Sequence, residues 1–119
     1  LGSKRESNKG RGRMVDLRTV IPRPLVSHEI GKDGRVILLK PKFNSSFFKK
    51  YIMSRMKRPF YRIYLDEIGS AVWMKIDGKK CAATIADELY EEFKEKVEPR
   101  YERLWIFLVS MKRGKLVEF

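Results

Sequence analysis

The side chains that most often carry chemistry are scarce in this chain. His28 and Cys81 are the single histidine and the single cysteine of 119 residues, and they stand far apart. A metal centre needs several His, Cys or carboxylate ligands at set spacing, and neither residue has such company. A nucleophile needs a base within reach, and no nucleophile-elbow pattern occurs. Gly10-Arg11-Gly12 lacks the remainder of a dinucleotide or phosphate loop. Cys81 follows Lys79 and Lys80 at an expected helix start, a setting that favours thiolate, although a small residue at a helix cap position is the simpler account of it. One cysteine excludes an intrachain disulfide and suits a reducing cytoplasm. The residues therefore point to a binding module, with no catalytic group, cofactor or metal.

Charge says more. The net charge is +12, and it is unevenly placed. Residues 25–60 hold nine Lys/Arg against two Asp/Glu, whereas residues 61–119 hold eleven of each. Residues 1–13 contain no apolar anchor and read as a disordered basic tail, either merely solvated or attracted to acidic partners. The polar start carries no apolar run of the kind a secretory signal needs, and no run of 18 apolar residues exists to span a membrane. In Phe43–Pro59, Phe47, Phe48, Tyr51, Ile52 and Met56 oppose Lys49, Lys50, Arg55, Lys57 and Arg58 on a helical period. This segment is either an amphipathic connector or a docking surface for an anionic membrane, an acidic protein or nucleic acid.

The remaining 14–119 read as a single domain. Met14–Pro24, with Pro22 and Pro24, is an extended lead-in. Leu25–Ile30 and Arg35–Pro41 flank Asp33-Gly34, a tight-turn pair, and form a hairpin in which Val26, His28 and Ile30 share a face. Phe60–Leu65 alternates as a third strand. Leu65–Gly78 follows as a helix, capped by Asp66 and ended by a left-handed Gly78. Cys81 or Thr84 opens a second helix, with Ala82, Ile85, Ala86, Leu89 and Phe93 inward. Pro99 at the first helical position opens a third, which Gly114 stops. Leu116–Phe119 returns as a strand or an extended tail. On the third helix the apolar arc is wider than a surface helix needs. Leu104, Phe107, Leu108 and Met111 make the core stripe, and Trp105, Ile106 and Val109 continue it round the other side. Trp105 and Val109 are covered by another part of the chain, for which Met14–Ile21 is available, or they await a partner.

From Tyr61 onward the sequence resembles the coenzyme PQQ synthesis protein D family, the PqqD-like RiPP recognition elements. The residues that carry the likeness are Leu65-Asp66-Glu67-Ile68-Gly69-Ser70-Ala71-Val72-Trp73, Ile76-Asp77-Gly78-Lys79, Ile85, Glu88-Leu89, Phe93, Val97, Tyr101, Leu104, Phe107-Leu108 and Leu116–Phe119. The resemblance implies an α+β, winged-helix-like domain with a three-stranded antiparallel sheet followed by three helices. It also implies a non-catalytic chaperone for the leader segment of a ribosomally made precursor peptide, which it presents to a modifying enzyme, often of the radical SAM type. The leader adds as a strand and lies beside the third helix. On this chain the implied edge is Tyr61, Arg62, Ile63 and Tyr64, and the implied groove uses Tyr101, Trp105, Leu108 and Lys112. The chain departs from the family where Cys81 and Thr84 replace the usual capping box, and in the length of its tail and of Phe43–Pro59.

Winged-helix architecture and a pI near 10.0 also raise nucleic-acid binding as an alternative. Residues 81–119 carry seven basic and eight acidic residues, so a recognition helix there would not neutralise phosphates. Binding of nucleic acid, or of an anionic membrane surface, falls instead to the basic N-terminal half.

Overall fold

A computed structural model describes residues 15–42 and 55–119. The tail 1–13 and Lys49 and Lys50 lie outside the described residues. The elements run β1 (Arg23–Pro24), β2 (Ser27–Ile30), β3 (Val36–Pro41), β4 (Phe60–Tyr64), α1 (Glu67–Lys75), α2 (Ala82–Phe93), a 3-10 turn (Lys94–Val97), α3 (Arg100–Arg113) and β5 (Val117–Glu118). This is the expected α+β arrangement, a three-stranded antiparallel sheet followed by three helices. Its strand order is β2-β3-β4, and a separate two-stranded pair joins β1 to β5. Among the described residues no helix is long and apolar enough to cross a membrane.

The hairpin forms where Asp33-Gly34 sets it, with Gly34 at φ 84° in the left-handed region that a side chain resists. Register pairs His28 with Leu38 and Leu38 with Ile63, so these three share one face of the sheet. Val36 and Leu38 on that face are buried against the helices. Ile37, on the other face, is buried apart from the main core cluster, and it lies beside the turn where Gly31 approaches its Cδ1.

Helix α1 begins where Asp66 was expected to cap it: the carboxylate accepts from the Gly69 N–H at 2.7 Å. It ends earlier than expected, at Lys75. Gly78 is left-handed (φ 77°), but in the turn beyond. There Asp77 accepts from the Lys80 and then the Lys79 N–H groups, which hold its carboxyl below the ordinary range, while Gly78 N–H reaches the Pro22 carbonyl. A buried hydroxyl ties helix to sheet: Ser70 Oγ accepts from the Val36 N–H at 2.8 Å. One turn on, the buried Trp73 donates its indole N–H to His28 Nδ1 at 3.2 Å. The lone histidine is thus a strand-surface partner of the core.

Helix α2 puts Ala82, Ile85, Ala86 and Leu89 inward at three- and four-residue spacing. Its outward Glu88 and Glu92 reach back to Lys75 of α1, and Lys80 joins Glu88. Cys81 is the N-cap residue but makes no side-chain bond to the backbone; its Sγ lies 3.3 Å from Thr84 Oγ1. Helix α3 starts one residue later than expected, with Pro99 as its N-cap.

Two outcomes check this frame. Ser70→Ala strands the Val36 N–H in the core and should cost about 1–3 kcal/mol in denaturant unfolding. The Thr84 hydroxyl favours the Cys81 thiolate and lowers its pKa. Alkylation of Cys81 should therefore rise at lower pH than for an ordinary thiol, and Thr84→Val should move the profile back up.

Candidate peptide-binding site

Strand β4 is bonded to β3 on one side, and among the described residues no strand pairs with its other side. The ladder shows which groups are free. Lys42 N–H donates to the Pro59 carbonyl and Leu65 N–H to the Val36 carbonyl, one bond at each end of β4. Antiparallel alternation then turns the backbones of residues 59, 61, 63 and 65 toward β3. Those of Phe60, Arg62 and Tyr64 face away, each with an N–H and a carbonyl toward the open edge.

Side chains follow the same alternation at right angles. Ile63 and Leu65 pack on the helical core, and Tyr61, further along that face, is 56% exposed with the Lys42 ammonium 5.4 Å from its ring centre. Arg62 and Tyr64 point to the opposite face. The Tyr64 hydroxyl and then the Glu29 carboxylate partner the Arg62 guanidinium and raise its pKa.

Beyond Tyr64 the edge runs toward helix α3. Gly69 marks the meeting point. A Cβ there would lie 3.5 Å from the Leu65 Cβ and 3.6 Å from Phe107 Cε1, so the end of β4, the first turn of α1 and the middle of α3 converge on it. A groove of about 200 Å³ opens at this point, with Ile68, Val72, Leu104 and Phe107 among its apolar lining and Asp66, Arg100 and Arg103 among its polar members. That volume is below the roughly 300–1,000 Å³ of sites for small organic ligands, and it suits an amino-acid side chain better.

The α3 residues that the resemblance implied are elsewhere. Leu108 is fully buried and belongs to the core. Tyr101 donates to Asp87 of α2 at 2.6 Å, a bond that raises the pKa of its hydroxyl. The guanidinium of Arg100 lies 4.4 Å from the Tyr90 ring centre and 5.2 Å from that of Tyr101. Trp105 packs on Phe119 at 5.7 Å, and Lys112 donates to the Phe119 main-chain oxygen while lying over its ring. The cover over Trp105 is therefore the returning C-terminal segment, not the lead-in. The lead-in lies along α2 and the turn before it, through the Val20 and Leu17 carbonyls. The face of α3 turned toward the strand end is Arg103, Leu104 and Phe107, about one helical position round from the expected one. Phe107 stood in the expected core stripe; nothing in helical spacing marked it as half-open.

Of the basic residues, Arg55, Lys57 and Arg58 are exposed on the approach to β4. Leu108→Ala should lower stability by about 2–5 kcal/mol in urea, as a core truncation does. A loss well under 1 kcal/mol would return Leu108 to the surface.

Compared with protein families, curated proteins and solved structures, the chain finds no match.

Proposed function

We propose that the chain is a non-catalytic peptide-binding chaperone. It captures the leader segment of a ribosomally made precursor by strand addition along β4 and presents the rest of that peptide to a modifying enzyme, of the radical SAM type in the family it resembles. The observation that carries the reading is the open edge of Phe60–Tyr64, which ends beside the apolar groove at Gly69 and Phe107. An added strand would take its register from the backbone of Arg62 and Tyr64, and its selectivity from a side chain entering the groove. The resemblance from Tyr61 onward supplies the partner class, and the single cysteine fits a cytoplasmic setting.

The edge geometry gives a test that a merely structural strand would fail. Arg62→Pro deletes an outward N–H and leaves the β3 ladder intact, so the fold should persist. Ile63→Pro deletes an inward N–H and should disrupt the sheet. Short precursor peptides encoded beside the gene, titrated into isotope-labelled protein, should shift amides at Phe60–Tyr64 and Arg103–Phe107. Arg62→Pro should weaken that binding about tenfold or more, the worth of about 1.4 kcal/mol, whereas Arg62→Ala should retain most of it. Silence at both sets of amides sinks the reading.

A further inference from the structure

The outer face of the sheet, the one turned from the helices, has no part in strand addition, and its chemistry is distinctive. Tyr64 is 70% exposed and Phe60 37%. Arg62 stands between them, and all three share the face because their partners Ile37, Leu39 and Pro41 do. We infer that this face binds single-stranded nucleic acid, with bases stacked on Tyr64, Arg62 and Phe60 and the backbone held by the cations around them.

Spacing selects a single strand. Alternate residues of a strand are about 7 Å apart, roughly twice the ~3.4 Å rise between stacked bases of a duplex. Neighbouring platforms therefore meet bases that have already left their stack. Aromatic rings and guanidinium planes are the two surfaces on which unstacked bases lie. At the Tyr64 end a hollow beside the ring has Ile37 among its lining and Lys32 and Arg35 from the hairpin turn. At the Phe60 end the exposed Lys57 and Arg58 lead into the strand. No carboxylate among the described residues lies within 4 Å of Lys32, Lys57 or Arg58. Two carboxylates oppose this charge: Asp33, 3.8 Å from the Arg35 guanidinium, and Glu29, paired with Arg62. Phosphate must compete with Glu29 for Arg62.

The surface is poorly made for lipid. Its aliphatic residues are the buried Ile37, 8% exposed, and the half-buried Leu39, so little aliphatic side chain stands out to enter a bilayer. The helices are no better for duplex DNA, since residues 81–119 are close to charge balance.

The test uses the full chain, a fluorescent oligouridylate of about 12 nucleotides and anisotropy. The oligomer should bind, and a duplex of equal length should bind at least tenfold more weakly. Four phosphate contacts on a single strand should weaken binding roughly 50-fold between 50 and 200 mM salt. Phe60→Ala with Tyr64→Ala leaves the charge unchanged and should cost at least about 30-fold, two stacked bases' worth. Glu29→Gln should bind several-fold more tightly by freeing Arg62. Both variants lie on exposed positions, and circular dichroism checks that they fold. Undiminished binding by the double variant overturns the inference, since a contact made by the basic tail alone would survive it. Equal affinity for the duplex overturns it as well. So does binding to phosphatidylserine vesicles in place of the oligomer, which assigns the surface to anionic lipid.

Discussion

Helix α1 crosses one end of the sheet, and the hydrogen bond from the Val36 N–H to the Ser70 hydroxyl fixes where it crosses. The bond is buried and joins residues 34 apart in sequence. A polar pair in a core is tolerated only when satisfied, so neither partner can slide by one position without leaving the other stranded. The Trp73–His28 bond sets a second point, over β2. With both points fixed, the first turn of α1 must lie beside the end of β4, and Gly69 must face Phe107. The open edge, the groove and the outer face all inherit their positions from that crossing.

Local rules reached the order and type of the elements. The alternation of Phe60–Tyr64, the Asp33-Gly34 turn, the Asp66 cap and the three- and four-residue spacing of α2 are each decided within a few residues. Failures came where a distant contact made the decision. Helix α1 stops at Lys75 because the chain turns back to meet the Pro22 carbonyl, and Gly78 serves that turn instead of the helix end. The rotation of α3 about its axis could not be read from its wide apolar arc, because two surfaces cover it. Phe119 takes the Trp105 side and the first turn of α1, at Gly69, meets the Phe107 side. A helix with one apolar stripe would have left no such choice. The groove was illegible for the same reason, since it lies where the start of α1 meets α2 and α3, and no local pattern reports that meeting.

Sheet geometry keeps the two proposed activities apart. A peptide strand would use backbone groups lying in the plane of the sheet, and a nucleic-acid strand would use side chains standing perpendicular to it. Arg62 belongs to both sets, through its backbone on the edge and its guanidinium on the face. Glu29 holds that guanidinium from two strands away, which makes a carboxylate on β2 the natural governor of the outer face and leaves the edge unaffected.

The pairing of Arg23–Pro24 with Val117–Glu118 has a consequence for biosynthesis. The lead-in leaves the ribosome early, yet the strand that β1 meets emerges only after the sheet and all three helices have been made. Val20 and Pro22 can dock earlier, once Ala82 and Gly78 are made and donate to their carbonyls, so it is β1 alone that waits for its partner. Joining distant segments carries the entropy of closing a long loop, so this contact should close late during assembly. A nascent chain arrested before Val117 would hold its lead-in against the helices but leave Arg23–Pro24 without a partner strand, and release of β5 would act as the clasp that closes it.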